Sequence, residues 1–575
     1  MITVNDQVKF FDWQLNELAL SWESYMNSRM TVLFTRLRAF AGELSAVDRT
    51  RGNVIFKFSK GKAPRLGTPY SLYLYKTENG TERLGSWDIK FKEFRTSSFC
   101  HYRENSEPVP VYHLDKDDDG FHYLGCANID IEVFDKFELD LSAGKRTKII
   151  LGEKEPPYQF LLNLKAYVSA IGQDIQLSDY SNENYEQVPF NGGKIDLIQS
   201  ELNLKNLVII QGPPGTGKST LTADLVAREV KKGKSVCITA LSNKALTEIA
   251  GKAGIADQST NFRVYKTSLT KNELQAHPFL QDAGEIMAVP KAVLLTTYYK
   301  LSAAAANGHK LFDILVIEEA SQAFLPVLFS FTNLAEKTLI IGDPMQLPPI
   351  VLNESSMTTI HPEMVRYVNG LDTLMRNSAN KAFLLTESFR LSPFNANMTG
   401  FFYDGLLTGH QNAPSELVLN ERFQKYFNVA APHQLALADD LSDRNDLEII
   451  ASFLKDLLTE IKTRNPTFSI ALLTPFKRDV LYFQQEIVLS LGNNNNGLII
   501  ETIDKVQGLT VDITILVLNI DGNPSFVFNR NRFNVATSRA RLYNLTITDR
   551  KVYCLKDSIS QDVDRFIREL PMVRI

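Results

Sequence analysis

A glycine-rich segment that ends in Lys218, Ser219 and Thr220 has the residue types and spacing to bind a polyphosphate. Its residues are Gly212, Pro213, Pro214, Gly215, Thr216, Gly217, Lys218, Ser219 and Thr220, which read G-x-x-x-x-G-K-S-T. Glycines let backbone N–H groups curl around phosphate oxygens at a helix N-terminus, where the helix dipole favours negative charge. Lys218 supplies a positive charge for the β- and γ-phosphates, and the Ser219 hydroxyl is a ligand for Mg²⁺. The segment therefore predicts a site for a nucleoside triphosphate with Mg²⁺.

Acidic residues follow two later apolar runs. Glu318 and Glu319 come directly after the run 314–317. Because the carboxyl ends of parallel strands meet at the edge of the sheet that carries such a phosphate loop, we expect both carboxylates beside it. We predict that Glu318 binds the metal and that Glu319 orients and deprotonates the attacking water. Asp343 and Gln346, after the next run, are predicted to sense the γ-phosphate, although an ordinary turn would explain 342–349 equally well.

The elements that must position these residues are visible as apolar runs that alternate with helical segments from about Ile195 onward. This βαβ rhythm predicts parallel sheets. A first set of predicted strands comprises 207–210, 236–241, 293–296, 314–317 and 339–341. A second set comprises 383–385, 470–473, 498–500, 513–518 and 545–547. Two α/β lobes of similar size are therefore expected to fill the C-terminal two-thirds of the chain.

The N-terminal third has a different pattern. Residues 8 to about 44 contain no Gly or Pro and place apolar residues at helical spacing, which predicts a long amphipathic stalk helix. From Asn53 to Leu151 the period changes to two, with predicted strands at 54–58, 72–74 and 129–133, which predicts a small barrel or curled sheet. Its lysines suit a nucleic-acid-contacting module, and a solvated hairpin explains them equally well. A helix at 158–171 and a polar linker at 178–191 complete this region.

Composition limits the class of protein. The chain has 575 residues, of which 44% are hydrophobic and 22% charged, and its net charge of −4 excludes a histone-like polycation. Its 4 cysteines show no C-x-x-C spacing, which argues against a disulfide framework, a zinc ribbon and an iron–sulfur cluster. The apolar stretch 324–331 is too short to span a membrane, and the N-terminus lacks the pattern of a secretory signal. These features predict a cytoplasmic, multidomain protein with no membrane partner.

Taken in order, the motifs resemble those of superfamily 1 helicases. The motifs that carry the resemblance are 212–220, 318–322, 342–349, 387–390, 502–512 and 534–541. The forms E-E-A-x-Q and G-D-x-x-Q-L-P-P resemble the branch that contains the nonsense-mediated-decay helicase and its replication-nuclease relatives (the DNA2/NAM7-like branch), and the segments 401–407 and 473–476 also fit it. The resemblance covers residues from about Ile195 to the C-terminus.

This resemblance implies an α/β fold with two tandem RecA-like P-loop lobes, built on parallel sheets, that clamp ATP while single-stranded nucleic acid crosses their top. The N-terminal helical stalk and the small β-barrel-like module would be additions to it. Arg390 and Arg539 would reach the γ-phosphate from the second lobe as arginine fingers, and Phe389 would stack on adenine. Contacts to the phosphates of the strand would come from Ser242, Asn243, Thr296, Thr297, Thr474, Thr502 and Gly508. Such hydroxyls and backbone amides grip a repeating backbone without reading its sequence.

The chain departs from the family pattern at several positions. Glu318 stands where Asp is usual, and Thr510 stands where this branch usually has Glu, so that 507–512 looks more like the RecD-type helicases. No clear glutamine motif for binding adenine precedes the phosphate loop. Gln199 is a weak candidate for such a glutamine. The stretch 249–293 leaves little room for the helical insertion of many relatives.

These observations predict an accessory domain at 1–190, a first RecA-like domain at 191–378 and a second at 379–575. The function they imply is an ATP-dependent helicase or translocase that acts on single strands or tailed duplexes, moving 5′→3′ as the family does. The alternative is an ATP-gated clamp or remodeller that does not unwind processively, which the Glu318 departure and the short 249–293 segment motivate. Whether the strand is DNA or RNA stays open, because both are held through phosphates and stacking.

Overall fold

The structure is a computed structural model of the chain. It describes all residues except 50–51, 67, 76–87, 97–99, 102–107, 118, 178–184, 189–193, 306–309, 378–381, 411–416, 442–443, 489–490, 492–496, 521–522 and 556–557. The chain forms two compact units. The smaller unit comprises Asn16–Pro157 and Arg478–Gly492, and the larger comprises Met1–Leu15, Tyr158–Lys477 and Asn493–Ile575. The predicted domain division at 190 and 378 stays a prediction.

The smaller unit is built on antiparallel strands with one buried face. The strands are β1 (Ala39–Asp48), β2 (Asn53–Phe58), β3 (Pro69–Tyr75), β4 (Cys100–His101), β5 (Val109–Lys116), β6 (His122–Cys126) and β7 (Lys148–Gly152). They pair in the order β4-β3-β5-β6-β2-β1-β7, and β3 also pairs with β7, so the sheet returns on itself. Val54, Phe56 and Phe58 are buried while their neighbours are partly exposed, as the period of two requires. Lys57 lies 3.5 Å from the Asp117 carboxylate.

Two predictions for the N-terminal third are wrong. The predicted helix 8–44 ends at Asn27, a short helix follows at Met30–Thr35, and β1 begins at Ala39. No Gly or Pro marks this break; instead Leu37 adopts a left-handed conformation with φ 53°, and β1 gains strand partners on both sides. The predicted strand 129–133 is the start of the helix Ile131–Ser142, in which Val133 and Phe134 are buried together with Phe137. Ile129, Ile131 and Val133 were read as the alternation of a strand, whereas Val133 belongs to the buried face of this helix and Ile131 is exposed.

The larger unit contains a first lobe built on a nine-stranded parallel sheet. Its strands are β8 (Tyr185–Val188), β9 (Leu207–Gln211), β10 (Ser235–Ala240), β11 (Arg263–Lys266), β12 (Leu280–Asp282), β13 (Ala292–Thr297), β14 (Phe312–Ile317), β15 (Ala335–Gly342) and β16 (Ala382–Leu385). They pair in the order β12-β11-β13-β10-β14-β15-β9-β16-β8. The central strands are continuous apolar runs because helices cover both faces of a parallel sheet. The carboxyl ends of β9, β14 and β15 therefore meet at one edge.

A second lobe in the same unit is built on a six-stranded parallel sheet. Two short paired strands, β17 (Glu387–Ser388) and β18 (Thr408–Gly409), precede it. Its own strands are β19 (His433–Ala438), β20 (Ile470–Thr474), β21 (Leu498–Thr502), β22 (Val511–Leu518), β23 (Ala540–Asp549) and β24 (Met572–Arg574). They pair in the order β21-β20-β22-β23-β19-β24. The prediction of tandem α/β lobes with parallel sheets is confirmed.

The structure reassigns one predicted strand and part of the predicted linker. The run 383–385 belongs to the first sheet, where β16 pairs with β9 and β8, so assigning it to the second set was wrong. Parallel strands can be neighbours in space while far apart in sequence. No feature of the sequence pattern marks the return of the chain from the end of β15 to a place beside β9. Within the predicted linker 178–191, residues Tyr185–Val188 form β8, and the rest of that segment lies outside the described residues.

Helices connect and cover these sheets. The α-helices of the described chain are Val4–Asn27, Met30–Thr35, Phe91–Thr96, Ile131–Ser142, Tyr158–Ile171, Lys194–Leu204, Lys218–Lys231, Asn243–Ala250, Ala253–Ala256, Lys271–Ala276, Tyr298–Ala305, Leu325–Thr332, Glu354–Ile360, Val365–Val368, Gly370–Met375, Pro393–Gly400, Glu421–Gln424, Arg444–Arg464, Lys477–Phe483, Pro524–Val527, Arg530–Thr537 and Gln561–Glu569. The predicted helix 158–171 is confirmed. Among the described helices, none has the length and apolar character that crossing a bilayer would require.

Candidate active site

A cavity of about 440 Å³ opens within the larger unit, between the carboxyl edge of the first sheet and the second lobe. The glycine-rich segment follows β9 and leads into the helix Lys218–Lys231. Gly217 caps this helix in a left-handed conformation, with φ 80°, which glycine adopts without strain. Pro214, Gly215, Thr216, Gly217, Lys218, Ser219 and Thr220 line the cavity. The backbone N–H groups of the first helical turn are thus directed at the cavity, as phosphate binding requires.

Lys218 is held inside this loop. Its ammonium donates hydrogen bonds to the carbonyl oxygens of Gly212 and Pro213, the latter at 3.3 Å. Burial lowers the pKa of Lys218, and the Asp343 and Glu318 carboxylates act against that shift. A buried ammonium gains most from an anion brought next to it, because water does not screen the attraction. This environment favours binding of a phosphate at Lys218.

Glu318 and Glu319 lie where β14 ends, on the wall of the same cavity. Glu318 is buried, and its carboxylate accepts a hydrogen bond from Thr222 on the helix that begins at Lys218. Glu319 has φ 53°, a left-handed conformation that turns the chain sharply after the strand. Burial, reinforced by the neighbouring Glu318 charge, raises the pKa of Glu319 to about 7. A carboxylate with a raised pKa is a stronger proton acceptor, which suits activation of water.

Asp343 and Gln346 are both buried and both contribute to the cavity wall. The Gln346 amide donates to Asp343 Oδ2 at 2.8 Å, and the Gln211 amide is 3.4 Å from Asp343 Oδ1. The Tyr403 hydroxyl, from the second lobe, donates to the same Asp343 Oδ2 at 2.6 Å. The segment that sequence alone could not tell from a turn is therefore part of a buried polar network.

Arg390 and Arg539 bring positive charge to the wall of the same cavity. Arg539 is 1% exposed, and its guanidinium donates to the Val535 carbonyl at 2.8 Å and to the Ser538 hydroxyl at 2.9 Å. Arg390 donates to the Ser538 carbonyl at 3.3 Å. Burial lowers the pKa of Arg390 to about 10, and burial together with the nearby Arg390 lowers that of Arg539 to about 9. The buried Arg539 and the half-buried Arg390 would both be stabilised by the negative charge of a polyphosphate.

Phe389 also lines the cavity and lies close to the phosphate loop. Its backbone N–H donates to the Gly215 carbonyl at 2.8 Å. Its ring faces His410, with the ring centroids 5.1 Å apart, and the Lys194 ammonium is 5.9 Å from its centroid. An aromatic face at this place can stack on a base. Gln199 is elsewhere: its amide bonds to Glu229 at 2.5 Å, and it is not part of the cavity wall.

The residues predicted to contact a nucleic-acid strand are not equally accessible. Asn243 and Gly508 are exposed, and Thr297 is partly exposed at the carboxyl end of β13. Ser242 caps the helix Asn243–Ala250, and its hydroxyl is 3.4 Å from the Glu319 carboxylate. Ser242 and Gly508 line the nucleotide cavity. Ser242 is thus placed to connect the proposed strand site with the proposed base.

The other three hydroxyls of that set are buried: Thr296, Thr474 and Thr502. Thr296 Oγ1 is 3.0 Å from Thr267 Oγ1, so its hydroxyl is already used inside the first lobe. Asn243 Oδ1 accepts a hydrogen bond from the buried Lys266 ammonium at 2.9 Å. Of the predicted strand contacts, Asn243, Thr297 and Gly508 are therefore accessible in this structure, whereas Thr296, Thr474 and Thr502 are buried.

Sequence reasoning missed several residues of the cavity. Lys244, Glu248 and Lys252 line it. Their spacing of four residues, which places side chains on one helix face, was the available signal. Arg541 also lines the cavity, and its guanidinium is 2.6 Å from the Asp512 carboxylate. Arg541 ends the segment 534–541, one of those that carry the family resemblance, but sequence reasoning assigned it no role, because only the fold brings Asp512 and the cavity next to it.

The donor set of the cavity suits Mg²⁺. Mg²⁺ prefers oxygen ligands and is usually held by one or two carboxylates together with substrate phosphates. Ser219 and Glu318 provide a hydroxyl and a carboxylate beside the phosphate loop, and Thr222 connects their elements. Among the described residues, no group of three or more His, Cys, Asp or Glu side chains is gathered as a metal cluster. The residues therefore fit a metal ion that arrives with the nucleotide.

Two family models match this chain, and several curated proteins are similar to it. Residues 191–390 and 369–551 each match a family described as an AAA domain. Helicase sen1 of Schizosaccharomyces pombe is 25% identical over 270 residues, which cover 44% of this chain and 16% of that protein. The DNA replication ATP-dependent helicase/nuclease DNA2 of Saccharomyces cerevisiae is 24% identical over 398 residues, covering 60% of this chain and 25% of that protein.

The probable helicase MAGATAMA 3 of Arabidopsis thaliana is 22% identical over 376 residues, covering 57% of this chain and 45% of that protein. The chain thus matches less than half the length of each of these relatives. Among solved structures, Arterivirus nonstructural protein 10 (helicase) aligns with a TM-score of 0.36 and 11% identity, covering 90% of this chain and 80% of that one.

The close approach of Gly215 to Arg390 generates a testable prediction. A Cβ atom on Gly215, which has φ +76°, would lie 2.4 Å from Arg390 Cβ and 2.5 Å from Ser388 Oγ. Gly215→Ala should therefore displace the loop from Arg390 and lower kcat for nucleotide hydrolysis roughly a hundredfold, because small misplacements at a reacting centre are costly. Steady-state hydrolysis assays measure this effect.

Gly233→Ala is the matched control. Gly233 also lies in the first lobe with a positive φ of +92°, but no described atom would lie within 4 Å of its Cβ. This variant carries a similar left-handed strain of about 1–2 kcal/mol without the clash, so it should lose stability and keep its hydrolysis rate. Equal hydrolysis rates in the two variants would contradict the proposed contact between loop and arginine.

Proposed function

Because the chain belongs to the superfamily 1 helicases, in their DNA2/NAM7-like branch, we propose that it hydrolyses ATP to move along and unwind nucleic acid. The observation that carries the proposal is the convergence of Lys218, Glu319, Arg390 and Arg539 on one cavity. The first two come from the first lobe, and Arg539 comes from the second. A nucleotide bound there would touch both lobes, so its binding and hydrolysis can change how the lobes are held together.

Each residue of the cavity has a separate role in the proposed hydrolysis of ATP. The loop from Gly212 to Thr220 binds the phosphates through backbone N–H groups, and Lys218 neutralises the β- and γ-phosphates. Glu319 orients the attacking water and accepts its proton. Arg390 and Arg539 stabilise the charge that develops on the γ-phosphate. Mg²⁺, held by Ser219 and Glu318, would supply further neutralisation of phosphate charge.

The strand would be held by the exposed residues at the carboxyl edges of the sheets. Asn243 and Thr297 of the first lobe and Gly508 of the second are accessible groups of the kind that contact phosphates. We extend the proposal to single-stranded or tailed duplex substrates, 5′→3′ movement and a cytoplasmic setting. The family resemblance supports movement in the 5′→3′ direction. The scattered cysteines, which show no disulfide framework, support the cytoplasmic setting.

Two substitutions test the hydrolytic site. Lys218→Ala should abolish ATP binding and hydrolysis, because the loop loses its only point charge directed at the phosphates. Glu319→Gln should abolish hydrolysis while leaving ATP binding within about threefold of the wild type, because an amide keeps the size of the side chain and cannot accept the proton. Nucleotide binding and strand-stimulated hydrolysis are measured on both variants. Stimulated hydrolysis that survives either change would refute the assignment of the site.

A comparison of single-stranded DNA with single-stranded RNA tests which nucleic acid the protein acts on. Either strand at fixed salt should stimulate hydrolysis, and the better one identifies the track; salt must be held constant because phosphate contacts make affinity depend steeply on it. Strand displacement per ATP on tailed duplexes then separates a helicase from an ATP-gated clamp. Robust displacement supports the helicase, stimulation without displacement supports the clamp, and hydrolysis indifferent to both strands would remove nucleic acid from the proposal.

A further inference from the structure

A buried polar network joins the loop after β15 to the second lobe. Asp343 Oδ2 accepts hydrogen bonds from the Tyr403 hydroxyl at 2.6 Å and from the Gln346 amide at 2.8 Å. The Asn534 amide in turn donates to the Tyr403 hydroxyl at 2.8 Å and to the Met345 carbonyl at 2.8 Å. Asp343, Gln346, Tyr403 and Asn534 are all at most 6% exposed. Buried networks of this kind couple their members strongly, because the local dielectric constant is low.

The direction of each hydrogen bond in this network is fixed by its chemistry. Because the Met345 carbonyl can only accept, the Asn534 group that faces it must be the amide nitrogen. The same nitrogen donates to the Tyr403 oxygen, so the Tyr403 proton is directed at Asp343. Burial and the Asp343 charge raise the pKa of Tyr403 well above its usual value, so the hydroxyl keeps that proton. The Tyr403 hydroxyl thus connects Asp343 to Asn534 through two hydrogen bonds.

The two ends of the network lie at functional positions. Asp343 and Gln346 line the nucleotide cavity, whereas Tyr403 and Asn534 do not. Asn534 lies on the helix Arg530–Thr537, which runs directly into Arg539. On the same face of that helix, Asn531 donates to the Pro344 carbonyl at 2.8 Å and to the Gln346 carbonyl at 2.5 Å. A shift of the loop on loss of the γ-phosphate would therefore be transmitted to the helix that leads into Arg539.

We propose that Tyr403 is a positioning residue that couples the nucleotide state of the cavity to the grip of the two lobes on a nucleic-acid strand. This inference rests on the proposed function and deepens it, since it names how the first lobe signals to the second. Coupling needs an element with two arrangements. Within the described part of the chain, the buried Asn534 Oδ1 has no hydrogen-bond donor, so a rearrangement that supplies one would gain a bond that the present state lacks.

Tyr403→Phe tests the link, because it removes the hydroxyl and keeps the ring. The experiment uses the full chain with Mg²⁺ and a labelled oligonucleotide of deoxythymidine or of uridine, whichever stimulates hydrolysis more. Its dissociation constant is measured with ADP and with a non-hydrolysable ATP analogue, and the ratio of the two values is the coupling factor. We expect a factor of roughly five or more in the wild type, the usual size of coupling between sites. In Tyr403→Phe we expect a factor within about twofold of one, with the affinity for the analogue almost unchanged.

Tyr426→Phe is the matched control. Tyr426 is also a buried tyrosine of the second lobe, and its hydroxyl donates to the Arg574 carbonyl at 2.9 Å, away from the loop after β15. It should keep the wild-type coupling factor. The factor is a ratio within one folded sample, so a general loss of stability does not change it.

The outcomes separate the two proposals. A wild-type factor of one, together with hydrolysis that no strand stimulates, would remove the proposed function and the role of Tyr403 with it. A wild-type factor of five or more that Tyr403→Phe leaves intact would overturn the role of Tyr403 alone. Equal loss in Tyr403→Phe and Tyr426→Phe would also overturn it, because the effect would then belong to any buried tyrosine of the lobe.

Discussion

The proposed activity depends on three positively charged side chains that line one cavity. Lys218, Arg390 and Arg539 all have pKa values lowered by burial, and the two arginines repel each other. Such an arrangement costs free energy unless an anion is brought to it. The proposed polyphosphate, together with a metal ion, would supply negative charge that offsets this cost.

Two parallel sheets make that arrangement possible. In the first sheet, β9, β14 and β15 are neighbours and end at the same edge, which brings the phosphate loop, Glu319 and Asp343 together from distant positions in the sequence. Arg539 comes directly before β23 of the second sheet. Because Arg539 of the second lobe and the phosphate loop of the first line one cavity, a nucleotide bound there would contact both lobes. The proposed hydrolysis of that nucleotide would then change the positions of the two lobes relative to each other.

The sequence predicted the features that depend on local pattern. The central strands of both sheets were visible as apolar runs, whereas β8, β11, β12, β19 and β24 were not predicted. The loop Gly212–Thr220 was visible from its glycines and lysine. The features it could not predict depend on tertiary partners: the end of the first helix at Asn27, the placement of β16 in the first sheet, the burial of Thr296, and the ion pair between Arg541 and Asp512. Tyr403 lies in the segment 401–407 that supported the family resemblance, but sequence reasoning assigned it no role, because its partners Asp343 and Asn534 are far from it along the chain.

The most direct test of the central claim is the preference for a triphosphate over a diphosphate. Calorimetry should compare binding of ADP and of a non-hydrolysable ATP analogue to the wild type and to Arg390→Ala and Arg539→Ala. If both guanidiniums meet the γ-phosphate, each variant should lose roughly tenfold or more of its affinity for the analogue, the usual worth of a charged hydrogen bond, and keep its affinity for ADP. Equal weakening of both nucleotides, or no change in either, would contradict the account.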